Sequence, residues 1–313
     1  MRGSWTDGKH IRSVQKGKVG FESQRLGSRA GICYFPQLTR QNSPTKEPSM
    51  PTLFRLPLLI FLLFCVAAPQ TLAGTDDSTL ARIQERGQLV LGTSGNMPTM
   101  SQLDASGKLS GFDFDIARLM ADAMGVKLVP KVLPFGELIP ALEAGEVDVV
   151  ISNMTITPQR NLRVAFVGPY MTSGKCIVTR SEALAKAKES PDLNTPATRF
   201  AALGGSTSEK FAKELFPQAT VVSVDDYKAA AELVKGGKVT GMLSDYPICV
   251  ATLKSNPDAG FVSLFSLLTY EPIGIELPAG DAHFINWTQN FLTRIDGTDT
   301  LKGLSKQWFG DIR

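Results

Sequence analysis

The sequence predicts an α/β fold of two lobes, linked by two crossover strands, with a ligand cleft between them. Three observations carry this expectation. From residue 78 onward, strand-like and helix-like segments alternate, the pattern of parallel α/β units. Residues 141–153 (ALEAGEVDVVISN) and 233–245 (LVKGGKVTGMLSD) align without a gap, each a helix end, a glycine stop, a valine-containing strand and then Ser with a polar residue. Two extended stretches, 173–179 (SGKCIVT) and 270–276 (YEPIGIE), read as the crossovers. The first lobe is then 78–174 plus 275–313 and the second 175–274.

A strand over 88–91 runs into a small-residue loop, Gly92-Thr93-Ser94-Gly95-Asn96. Asp113 or Asp115 is expected to cap a helix whose apolar residues, Ile116, Leu119, Met120, Ala123 and Met124, recur at helical spacing before Gly125 ends it. A strand over 126–133, a helix over 137–144 stopped by Gly145, and a buried strand over 147–151 follow. Residues 91–94 (LGTS) and 203–206 (LGGS) both pass from a strand into a small-residue loop. Ligands of open α/β sheets bind at that edge of the strands.

The 313-residue chain is 43% hydrophobic and 20% charged, enough to fill two cores. Its net charge of +3 belongs to the whole precursor: residues 1–73 hold ten Lys/Arg against three Asp/Glu, and the remainder is acidic. Nothing there favours nucleic acid or an anionic membrane surface as partner. Residues 50–73 carry one arginine, an apolar run over 56–68 and small residues before Gly74, the layout of a secretory signal peptide. Thirteen apolar residues fall short of the roughly twenty that span a bilayer. Residues 1–49 are basic, polar and aperiodic, and are expected to be a non-structural upstream extension.

Residues 74–313 contain one histidine, His283, which excludes a histidine-rich metal site, and no P-loop, GxGxxG or CxxC pattern. No cofactor is expected. Cys176 and Cys249 are the two cysteines after the leader, a pair that either bridges in an oxidising compartment or stays as two buried thiols. In SNMTITPQR (152–160), Thr157 caps a helix with Pro158 in its first turn, placing Arg160 beside a strand end. A guanidinium there either forks onto a ligand carboxylate or pairs with a surface acid. Gly205-Ser206-Thr207-Ser208 precedes a helix over 209–216, an N-cap whose free amides also attract anions. Asp245 ends a hydrophobic strand and suits a ligand ammonium.

At these motifs the sequence resembles the periplasmic amino-acid-binding proteins, the family 3 solute-binding proteins of ABC importers. The resemblance covers about 80–311, through GKLSGFDFDIARLMADAMGV (107–126), LIPALEAGEVDVVISNMTITPQR (138–160), FVGPYMTSG (166–174), GSTSEKFA (205–212) and KQWFGD (306–311). It implies the type II periplasmic-binding-protein-like fold, with an amino acid or similar small zwitterion as ligand and an ABC permease as partner, and a protein that is a monomer in the periplasm. By position, Arg160 resembles the clamp for the ligand α-carboxylate, and Thr155 and the Asn153 backbone resemble neighbouring hydrogen-bonders. Thr207, with Ser206, resembles the contact from the second lobe, Asp245 the acid for the α-ammonium, and Phe135 a pocket wall. Ser94 stands where binders of basic amino acids often carry an acid, and Met97 where a covering ring is common. The resemblance also places Cys176 on the strand entering the second lobe and Cys249 one helical turn beyond Asp245, implying a disulfide. The competing readings are an enzyme resembling cyclohexadienyl dehydratases, with Glu137 or Asp104 as acid or base, and a ligand-sensing module.

Overall fold

The computed structural model describes residues 78–185, 193–264 and 269–310; the expected leader and upstream extension lie outside them. Helix α1 (Thr79–Arg86) is capped by Ser78, which accepts from the Ala81 amide, and is ended by Gly87 at φ 65°. Strand β1 (Gln88–Thr93) leads to a small antiparallel sheet of β2 (Asn96–Met97), β3 (Ser101–Leu103) and β4 (Leu109–Ser110). Helix α2 (Phe112–Met124), β5 (Lys127–Val132), α3 (Leu138–Glu143), β6 (Val149–Val150), α4 (Pro158–Asn161) and β7 (Ala165–Ser173) follow.

After β7 the chain enters the second lobe: β8 (Lys175–Thr179), α5 (Glu182–Ala185), β9 (Arg199–Leu203), α6 (Thr207–Leu215) and β10 (Thr220–Val224). Helix α7 (Tyr227–Lys235), β11 (Gly241–Asp245), α8 (Tyr246–Ser255) and β12 (Val262–Leu264) complete it. Strand β13 (Glu271–Leu277), α9 (Ala282–Gly297) and α10 (Thr300–Phe309) return to the first lobe.

The two large sheets share one design. Their orders are β5-β1-β6-β13-β7 and β10-β9-β11-β8-β12. In each, the first three strands run parallel and the fourth runs antiparallel to both of its neighbours. The two segments that align in sequence deliver β6 and β11, the central strand of each sheet. Among the described residues no helix is long and apolar enough to cross a membrane.

Strand β13 pairs with β7 from Glu271 opposite Ser173, within the crossover expected over 270–276. Several expected boundaries move. Neither Asp113 nor Asp115 caps α2, because Gly111 takes the cap position without a side-chain bond. Asp113 points into the core, and Asp115 accepts from the Trp308 indole at 2.9 Å, which fastens α10 onto α2. All of 147–151 is buried but only Val149 and Val150 enter the ladder. The helix expected over 137–144 is a 3-10 turn, Phe135–Glu137, followed by α3, and the one expected from 209 begins at Thr207.

Cys176 on β8 and Cys249 on α8 form a disulfide within the second lobe, with Cα atoms 6.5 Å apart, inside the usual span. It closes a loop of 73 residues, a length for which chain entropy gives roughly 4 kcal/mol. Replacing both cysteines by serine is expected to lower the denaturation midpoint accordingly in chemical unfolding; a midpoint unmoved would show that the second lobe does not need the link.

Candidate functional site

The strand ends that the sequence marked as a ligand edge converge from the two lobes. After β6 the chain turns at Asn153, which adopts φ 49°, a left-handed conformation that asparagine tolerates better than most residues. The turn aims the Asn153 amide at Asp113 Oδ2 (2.7 Å) and its side-chain Nδ2 at Asp245 Oδ2 of the other lobe (3.1 Å). Thr155 Oγ1 lies 3.3 Å from Thr207 Oγ1 across the cleft. On another rim, Asn96 Nδ2 donates to the Asp225 carbonyl at 2.7 Å. The lobes are closed on each other.

Arg160 sits where its helix start puts it. Thr157 Oγ1 accepts the Arg160 amide, with Pro158 in the first turn. The guanidinium donates to the Thr155 carbonyl (2.9 Å) and to the Gly205 carbonyl of the second lobe (3.2 Å), and it lies 5.6 Å from the centre of the Phe135 ring. No carboxylate lies within ion-pair distance of it among the described residues. Burial works against its charge, and Glu276, Asp245 and Glu271, in that order, support it from farther away. Glu276 is fully buried with both carboxyl oxygens unpartnered, and burial raises it well above the carboxylate range. Phe135 is buried in the first-lobe core while its ring face carries the arginine.

Ser94 is buried beside Ser152, its amide donating to Ser152 Oγ at 3.0 Å and its hydroxyl accepting from Ser152 Oγ at 3.1 Å, both within the first lobe. Ser206 is committed to its helix: its hydroxyl accepts the Glu209 amide, and Glu209 Oε2 accepts the Gly205 amide at 2.8 Å. The start of α6 is therefore capped by its own side chains, with an acid beside it. Ser206, Thr207, Gly205 and Arg160 line a recess of about 420 Å³ at the lobe junction.

The sequence reading missed two groups. Lys175, at the start of β8, is wholly buried. Its Nζ bonds Asp245 Oδ1, Thr207 Oγ1 (2.7 Å) and Glu271 Oε2 (3.2 Å). Glu271 in turn accepts Thr269 Oγ1 at 2.7 Å. Asp245, expected to await a ligand ammonium, thus holds an ammonium of the protein's own. Two like charges about 4 Å apart repel by roughly 4 kcal/mol at an effective dielectric of 20. The enzyme candidates lie elsewhere: Asp104 is exposed and ties the β3–β4 turn through Ser106 and Lys108, and Glu137 is exposed. His283 is exposed at the start of α9. Among the described residues no cluster of His, Cys, Asp or Glu would hold a metal ion.

The model for bacterial extracellular solute-binding proteins, family 3, matches residues 89–311. The chain belongs to that family. ABC transporter arginine-binding protein 1 of Escherichia coli K12 is 28% identical over 224 residues, 70% of this chain and 89% of that protein. A binding component of an ABC transporter from Wolinella succinogenes, solved with lysine, superposes with a TM-score of 0.69 at 36% identity, covering 72% of this chain and 97% of that one. A cyclohexadienyl dehydratase of Pseudomonas aeruginosa is 27% identical over 197 residues, 63% of this chain and 73% of that protein. The two-lobed architecture is that of the type II periplasmic binding proteins.

Two expectations concern this solute-binding fold. A Cβ on Gly205, which has φ 74°, would come 3.3 Å from the Gly136 Cα of the other lobe, whereas one on Gly136 would touch nothing within 4 Å. Gly205→Ala is expected to wedge the lobes apart and raise the ligand Kd by about tenfold or more, with Gly136→Ala as a silent control. X-ray scattering and calorimetry check it; an unchanged radius and affinity would mean that this contact does not limit closure.

The second expectation concerns Asp113. Burial pushes its carboxyl up to about 7, against hydrogen bonds from Tyr170 and the Asn153 amide that hold it down. An unfolded aspartate titrates near 4, so the unfolded chain releases this proton first, and stability falls as pH rises from about 4 to about 7. Glu276, also raised, adds to the same slope. Asp113→Asn is expected to flatten the decline between about pH 5 and pH 8 by up to ~2.6 kcal/mol. Unfolding curves at the two pH values measure it; parallel slopes in both proteins would place this group in water.

Proposed function

We propose that the protein captures an amino acid or a closely related small acid between its lobes and hands it to the permease of an ABC importer. It works as a monomer outside the cytoplasm, after loss of the leader over 50–73, and performs no chemistry on the solute. Arg160 carries the reading. It is a charged fork at the lobe junction, bonded to two carbonyls from opposite lobes and short of a carboxylate. A ligand carboxylate would complete it with two parallel charge-assisted bonds. The family membership supports the reading, as do the arginine-binding relative and the lysine complex, each for what its own name states.

One observation favours a second reading. Lys175, Glu271 and Asp245 form a buried ionisable cluster that a binding protein does not require, and one relative is a dehydratase. An enzyme on this scaffold would draw its acid and base from that cluster. Conversion of a carboxylated ring acid followed by NMR, with no rise in melting temperature from any solute, would favour it over capture.

For the capture reading, a thermal-shift panel of amino acids and related acids first identifies what stabilises the protein; saturation at about a hundred times Kd adds roughly 2.7 kcal/mol. Arg160→Lys keeps the charge but loses the planar fork. It is expected to raise the Kd of that solute by about thirty- to several-thousand-fold, roughly 2–5 kcal/mol, in calorimetry. A folded Arg160→Lys variant that binds within about threefold of the parent would overturn the clamp assignment.

A further inference from the structure

Resting on the capture reading, we propose that this cleft ranks 2-oxo and 2-hydroxy carboxylic acids above the corresponding amino acids. The reason is the juxtaposition of Lys175 with Asp245: the protein's own ammonium fills the acceptors that an α-ammonium would use.

The pairing is built into the second lobe. Asp245 and Lys175 are direct partners across the antiparallel β11–β8 ladder, so they meet whether the cleft is open or closed. The neighbouring Cys176 is tied to Cys249 on the helix that starts from Asp245, which fixes the register. Lys175 has no exposed surface, and its three N–H donors meet three oxygens, one each from Asp245, Thr207 and Glu271.

The carboxylates are equally occupied. Asp245 Oδ1 takes Lys175 and Oδ2 takes Asn153 Nδ2. Glu271 Oε2 takes Lys175 and Thr207, and Oε1 takes Thr269. The two acids outnumber Lys175 by one, and Arg160 supplies the balancing charge; Glu276, fully buried, is held toward its neutral form, so it offers no anion for a ligand cation. Arg160 is the converse case. Its bond to the Gly205 carbonyl belongs to closure and is released on opening, which frees an N–H for an incoming carboxylate.

An α-ammonium entering this floor would leave water, approach the Lys175 ammonium, and find acceptors already engaged. A 2-oxo or 2-hydroxyl oxygen keeps the carboxylate contact without that desolvated charge. The Thr155 hydroxyl, which faces Thr207 across the lobes, is a neutral group suited to it.

Calorimetry on matched pairs tests the ranking: phenylalanine with phenylpyruvate and phenyllactate, leucine with 4-methyl-2-oxopentanoate, and glutamate with 2-oxoglutarate. In every set that binds, the oxo or hydroxy acid is expected to show a Kd at least about tenfold lower. Lys175→Met, which empties Asp245 for a ligand amine while keeping an unbranched side chain, is expected to reverse the order. If the amino acid binds more tightly to the parent protein and Arg160→Lys abolishes that binding, the ranking is overturned while the capture reading stands. If no member of any set and no standard amino acid binds, both fall. Should Lys175→Met not fold, the order measured on the parent protein decides alone.

Discussion

The ion pair between Lys175 and Asp245 is the contact around which the cleft is organised. Strand register places the two residues opposite each other, the adjacent disulfide holds that register, and Asp245 then reaches Asn153 of the first lobe with its second oxygen. Such pairs add little stability against well-packed apolar side chains, because both charges are taken out of water, while breaking one leaves a stranded charge. Its significance here is the chemical character it gives the cleft floor. Glu271 joins the pair from the strand returning to the first lobe, so the same lysine also bonds across the crossover region.

A chain of polar contacts extends from this point into the first-lobe core. Tyr170 donates to Asp113, Asp113 accepts the Asn153 amide, and Asn153 donates to Asp245. The last two steps depend on the left-handed turn at Asn153 that follows β6. The buried acid and the cleft are therefore linked through one residue, and the corresponding turn after β11 is replaced by the direct start of α8 at Asp245.

Much of the architecture could be read from the residues alone, because alternating periodicities and glycine stops are local signals. The glycine after α2, the Thr157–Pro158 helix start and the two like strand-to-loop passages are all decided within a few neighbouring residues. Asn153, Thr155, Arg160, Thr207 and Asp245 stand at such strand and helix ends, and the structure brings them together. Lys175 and Glu271 escaped because their meaning is not local. Each looks like a solvated residue at the start of a strand, and only sheet pairing carries the lysine to an acid 70 positions away. Asp113 misled for a related reason: a short acid at a helix start looks the same whether it turns back to the helix amides or into the core, and Gly111 took the cap instead. Ser94 stayed in its own lobe because Ser152 occupies it.

The approach of Gly205 to Gly136 has a mechanical meaning. Where two backbones meet with no side chain between them, rotation of one lobe toward the other ends on main chain, which does not yield as a flexible side chain would. If the Gly205→Ala variant opens the lobes as expected, the end point of the swing is set by the polypeptide itself. Solutes would then differ in whether they let the jaws reach that stop, and every solute that does would present the same outer contour to whatever meets the shut form.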